Sequence, residues 1–212
     1  VQEAVRYGAN ALMIYLGAPQ NSNRRKLSEL KIPEFHQALR ENNIDINNVI
    51  VHAPYLLNLG NTTNEKIFNF SVAFLQKEMA RMNEIGLKTI ILHPGSALNS
   101  SPEKAIAQVT KGLNLVLQTN PNVRIALETM CQRSGEIGGT FAQLQAIIQQ
   151  VDQPARVGVC WDTCHLYTAG YDIKNNLAGK IDATPEKETL TPAESNHEKE
   201  RQAGEIKKIN RA

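Results

Sequence analysis

The chain has 212 residues, 42% of them hydrophobic, enough for one sizeable domain or two small ones. Its 23 Lys and Arg against 21 Asp and Glu leave a net charge of +2, which excludes a globally basic polyanion binder and leaves only local patches for such contacts. Three cysteines without a CxxC pair exclude a disulfide framework and point to a reducing, cytoplasmic setting, and no apolar stretch reaches the roughly 18 residues of a membrane span.

The opening "VQEAVRYGANALMIYLG" reads as a helix end, a turn and a strand, unlike a signal peptide, and a helix at residue 1 implies that a segment once preceded it. Continuously apolar runs at 11–17, 48–54, 88–95, 123–130 and 156–163 predict five strands buried on both faces of a parallel sheet. Helices fall between them. The segment before Gly86 places Ile67, Phe70, Phe74, Leu75, Met79 and Met82 near a 3.6 period, with Gly86 as its stop. Ser101, Pro102 and Glu103 open a second helix as cap, first position and first turn. "GGTFAQLQAIIQQV" is a third. This βαβαβαβαβ order fits a doubly wound sheet or a TIM (β/α)8 barrel. From 174 to 212 there is no Phe, Tyr or Trp and the charges nearly cancel, which predicts a polar tail after a domain at 1–173.

Every strand after the first ends on or near a metal-capable residue: His52, His93, Glu128 and Asp162, each one helix-plus-strand unit from the next. In a barrel these ends converge on one face. Each residue also has an ordinary reading: a strand-end His as a hydrogen-bonded side chain, Glu128 as the partner of a nearby Arg, Asp162 as an N-cap for "DTCH". Four in succession favour a coordinated site, whose imidazole and carboxylate donors suit Zn²⁺ or Mn²⁺ better than Ca²⁺ or Mg²⁺. His165 faces the same way as Asp162 if a helical turn begins there, or serves a separate metal. Cys160, Cys164 and His165 lack the second ligand pair of a zinc knuckle, so Cys160 reads as core filler and Cys131 has no assigned role.

"VHAPYLLNLGNTT", "ILHPGSAL", "IALETMCQRSGEIGGTF" and "VCWDTCHLYTAGYDI", with "ALMIYLGAPQNSNRRK" before them, resemble endonuclease IV, the zinc-dependent abasic-site DNA repair nuclease. The resemblance covers residues 1 to about 177. It implies a TIM barrel with three zinc ions at the C-terminal face. His52 and His93 would hold one ion, Glu128, the catalytic residue, would bridge it to a second that Asp162 also binds, and His165 would serve the third. Tyr55 and Leu56 would enter duplex DNA at the abasic site, and the loop carrying Gln20, Arg24 and Arg25 would contact the strained strand. Without the resemblance, Tyr55 and Leu56 also read as apolar loop packing and "NRRK" as a solvated loop.

The family's first strand does not appear before Val1, and its last two strands, with the "HxNDS" and "DRH" motifs and a late bridging Glu, do not appear after Asn176. His197 in "SNHEKE" matches none of these and takes no ligand role. The expectation is an incomplete barrel of about five strands, truncated at both ends, with ligands for the second and third ions missing and activity impaired. The leading function is a phosphodiesterase cutting 5′ to abasic sites in double-stranded DNA, with no obligate protein partner. The alternatives are a metal-dependent sugar isomerase or epimerase of a related barrel, and a non-catalytic remnant that binds DNA or one metal ion.

Overall fold

Five of the apolar runs form five parallel strands: β1 (Leu12–Ile14), β2 (Val49–His52), β3 (Thr89–Leu92), β4 (Arg124–Glu128) and β5 (Val157–Cys160). They lie side by side in chain order, with registers Ile14 to Val51, Val51 to Ile90, Ile90 to Ile125 and Ile125 to Val157. The computed structural model describes residues 1–133 and 135–173, so the tail expected at 174–212, and His197 within it, lie outside the described residues. The chain divides into two units, Val1–Ala169 and Gly170–Ala212, and the sheet, its helices and the candidate ligands all belong to the first.

The helices are α1 (Gln2–Arg6), α2 (Ile32–Glu41), α3 (Glu65–Ile85), α4 (Pro102–Leu117), α5 (Phe141–Gln150) and α6 (Thr163–Thr168). Side-chain caps start four of them. Asn64 accepts from the Lys66 and Ile67 amides, Ser101 from Lys104, Thr140 from Gln143 and Asp162 from His165. Helix α3 stops as its sequence predicts. Gly86 takes φ +86, its amide bonds to the Asn83 carbonyl, and the Leu87 amide reaches back to Met82. The apolar stripe of α3 differs from the expected one. Of the expected stripe, Phe74, Leu75, Met79 and Met82 are buried; Ile67 and Phe70 are exposed, and Phe68, Val72 and Ile85 are buried in addition, because the helix turns that set toward the sheet. None of the helices among the described residues is long and apolar enough to cross a membrane.

Burial on both sheet faces is the expectation that the structure corrects. One face, carrying Val49, Val51, Ile90, Leu92, Ile125 and Leu127, is sealed in the core. The other face is covered unevenly: Ile91, His52 and Glu128 are buried, but Ile50 and Ala126 are half-buried, Gly158 is exposed, and Met13 is 52% exposed. Five strands do not close the interior of an eight-stranded barrel, and among the described residues no opposing strand covers this second face.

A Cβ at position 86 would meet only ordinary contacts, the nearest at 3.5 Å from Ile46 Cδ1, so the left-handed backbone alone sets its cost. Gly86→Ala is expected to destabilise the chain by about 1–2 kcal/mol, read as a lower urea midpoint at unchanged slope.

Candidate metal centre

Parallel strands in sequential order bring their C-terminal ends to one edge of the sheet. His52 closes β2, His93 follows β3 directly, Glu128 closes β4, and Asp162 follows β5 by two residues. The loops behind them are laced together. Asn58 Oδ1 accepts from the Ser96 amide at 2.9 Å, and a Cβ on Gly95 (φ +117) would collide with Asn58 Oδ1 and stand 2.9 Å from the Gly60 amide nitrogen. Only glycine permits the segment after His93 to come this close to the segment after Tyr55.

The Glu128 carboxylate is the meeting point. Its Oε2 lies 3.0 Å from Nε2 of both His52 and His93, and its Oε1 lies 3.3 Å from Nδ1 of His165. His52 and Glu128 are buried, while His93 and His165 keep 23% of their side-chain surface exposed. His52 Nδ1 faces the Ala53 carbonyl at 2.6 Å, and a carbonyl only accepts, so Nδ1 carries a proton. The free valence of the ring, Nε2, therefore points at a carboxylate. Two acceptors at that distance need a proton or a cation between them.

Protonation shifts follow. Burial works against charge on both partners and is outweighed. The Glu128 hydrogen bond, the Ala53 carbonyl, and the Glu128 and Asp162 charges raise the His52 pKa. The hydrogen bonds and charges of His52 and His93 hold the Glu128 carboxyl down to about 2. A metal ion at this point displaces a proton, which is how imidazole–carboxylate sites behave. The donor set thus fits a borderline divalent ion.

Two triplets of potential ligand atoms, each within 4.8 Å of one another, share Glu128: His52, His93 and Glu128, and Glu128, Asp162 and His165. Asp162 serves two ends. Its Oδ1 accepts the His165 amide at 2.8 Å as the cap of α6, and its Oδ2 lies 3.9 Å from His165 Nδ1. Thr129 anchors the turn, its hydroxyl accepting from the Asp162 amide at 3.0 Å. His165 Nδ1 also faces the Thr129 carbonyl at 2.8 Å and so is the protonated nitrogen, leaving Nε2 as the lone-pair atom. That hydrogen bond argues against Nδ1 as a ligand. Cys160, expected as core filler, is half-buried beside the cluster, where burial and the Glu128 and Asp162 charges push its thiol up to about 11. No cysteine among the described residues joins a candidate ligand group.

Around the ligands stands a set of rings. Tyr55 is 55% exposed, with its ring 5.5 Å from those of His52 and His93, while Leu56 beside it packs onto the core. Gln20 and Arg25 are exposed. Arg24 is turned inward. Its Nε donates to Glu78 at 2.8 Å, its Nη1 to the Asn21 and Asn23 carbonyls, and its guanidinium lies over Phe74. Arg81 ties the same loop down through the Arg25 carbonyl. Sequence reasoning passed over Glu78, Thr129 and Tyr15. Only Tyr15 carried a signal, as the residue at the end of β1 where the other strands hold ligands.

The family described as the xylose isomerase-like TIM barrel matches residues 1–207. A probable endonuclease 4 of Acholeplasma laidlawii is 46% identical over 179 residues, covering 84% of this chain and 60% of the relative. A probable endonuclease 4 of Bacillus subtilis is 46% identical over 180 residues, 85% of this chain and 60% of the relative. The chain therefore spans about 60% of the length of the curated relatives it matches. The crystal structure of endonuclease IV from Thermus thermophilus aligns with TM-score 0.69 at 29% identity, over 86% of this chain and 63% of that one. A D-tagatose 3-epimerase-like protein aligns at TM-score 0.63 and 19% identity, over 78% of this chain and 60% of that one, a likeness of fold alone.

The Arg24–Glu78 pair is 10% and 1% exposed, and Glu78 Oε2 is buried with no hydrogen-bond partner among the described residues. Arg24→Met strands that carboxylate and is expected to cost about 3–5 kcal/mol in urea unfolding, whereas Arg24→Met with Glu78→Met recovers much of the loss.

Proposed function

The chain belongs to the xylose isomerase-like TIM barrel family, and from that premise we propose that it carries part of the active centre of a DNA-repair phosphodiesterase that cuts double-stranded DNA 5′ to abasic sites. The observation that carries this reading is one carboxylate, Glu128, shared by two ligand groups at the C-terminal edge of the sheet. The relatives named endonuclease 4 and the motifs around each ligand support the substrate.

The ion that this donor set suits best is zinc. His52 and His93 would hold one ion with Glu128, and Glu128 and Asp162 a second. The Nε2 of His165, whose Nδ1 is engaged by the Thr129 carbonyl, would meet a third. When bound, zinc supplies a nucleophilic water near neutral pH and positive charge for the phosphate and leaving oxygens. The remaining work falls to the protein. The Ala53 and Thr129 carbonyls fix the tautomers of His52 and His165, so that each ring offers a defined nitrogen. A nucleotide without a base has lost its stacking and is cheaper to displace than an intact one. The exposed Tyr55 would fill the vacated space, with Leu56 supporting it from the core, and the exposed Gln20 and Arg25 would meet the strand. Arg24, with Nε bonded to Glu78 and Nη1 to two loop carbonyls, acts as the anchor of that surface rather than as a contact. Free cysteines accord with a cytoplasmic, reducing setting.

The full chain, supplied with zinc and a duplex bearing a single abasic site, is expected to incise 5′ to the lesion, and Glu128→Gln or His93→Ala to lower that rate at least about 100-fold. Absence of both incision and any binding preference for the abasic duplex sinks the reading. Proton competition at His52 Nε2 gives a second outcome. Because its pKa is raised, zinc affinity starts to weaken above the usual imidazole range as pH falls, by about tenfold per pH unit for each proton displaced, measured by calorimetric titration.

A further inference from the structure

Among the strands of the described residues, only β1 delivers no ligand, and Tyr15 follows its last residue, Ile14, directly. The Tyr15 and Tyr55 hydroxyls share a hydrogen bond of 2.5 Å. The Tyr15 ring leans on His52 at 5.2 Å and meets Tyr55 edge-on at 5.9 Å. The backbone of Tyr55 is held separately, its amide donating to the Pro19 carbonyl at 3.2 Å. That bond sets where the residue stands, while its ring rests only against the rings of Tyr15, His52 and His93 among the described residues. The side chain's single polar contact among the described residues is the Tyr15 hydroxyl. An aromatic side chain that is 55% exposed ordinarily samples several rotamers, and ordering it during binding costs affinity.

We propose that Tyr15 is a positioning residue for Tyr55, its hydroxyl holding the exposed ring upright beside His52 and His93 so that the wedge is set before DNA arrives. This role rests on the reading that the chain binds abasic duplex through Tyr55. It also connects the loop at Pro19 to the ligand strand β2 through two bonds, one to the backbone of Tyr55 and one to its side chain. Tyr15 makes no contact with the reacting phosphate in this scheme and contributes no ligand.

Tyr15→Phe keeps the ring against His52 and removes only the tether. The full chain and its variants are titrated with a duplex carrying a tetrahydrofuran abasic analogue and with the intact duplex, by fluorescence anisotropy, and their zinc content is measured in parallel. Tyr15→Phe is expected to lower the abasic-over-intact affinity ratio about fivefold, the size of one neutral hydrogen bond, with zinc per chain unchanged. Tyr55→Phe breaks the same bond from its exposed side and serves as the second variant if Tyr15→Phe lowers the folded fraction. The double variant is expected to bind no more weakly than either single one, because both remove one interaction. An unchanged ratio in Tyr15→Phe, with preference kept by the parent chain, overturns the positioning role alone. Losses that multiply in the double variant overturn it as well. A parent chain with no preference for the abasic duplex overturns the functional reading and this role with it.

Discussion

A buried carboxylate persists only where its charge is answered, and Glu128 is answered from three directions. The imidazoles of His52 and His93 approach one oxygen and that of His165 the other. These groups arrive from separate strand ends, so the charge of one side chain becomes a constraint on how β2, β3, β4 and the start of α6 are aligned. The parallel register makes the encounter possible, and the encounter in turn holds the rings in place. Without counter-charge, the same carboxylate would be costly in the position it occupies. The requirement for a proton or a cation between Nε2 and Oε2 is therefore a property of the fold itself.

Much of this was legible in the sequence, for physical reasons that can be named. Strand positions followed from short β-rich apolar runs, and helix limits from residues whose side chains or backbone angles end a helix, such as Ser101 and Gly86. Periodicity held in α3 for Phe74, Leu75, Met79 and Met82 and failed in its first turns. Ile67 and Phe70 are as apolar as Phe68 and Val72, and a periodic pattern does not state which of two neighbouring faces meets the sheet. The candidate ligands were visible because a polar residue closing an apolar run is conspicuous. Glu78 was not, since a carboxylate within a helix ordinarily faces water. Its burial depends on Arg24, 54 positions away, and a pairing at that separation leaves no local trace.

Arg24 also illustrates how an apparent basic patch dissolves on folding. "NRRK" offers consecutive cations on paper. In three dimensions one of them turns its Nε to a buried carboxylate and its Nη1 to two loop carbonyls, lies over a phenyl ring, and leaves Arg25 as the exposed arginine of the pair. The local surface charge available to a phosphate backbone is correspondingly smaller than the composition of the loop implies.

Asp162 spends its two oxygens on different tasks, one on the first turn of α6 and one toward the cluster. A residue with a folding duty resists drift whether or not any chemistry survives, because its loss unravels a helix start. Persistence of aspartate at this position across descendants of the gene would accordingly say little about retained catalysis. His93, whose ring contacts all lie inside the cluster among the described residues, has no such second employment and would be the first position to record its loss.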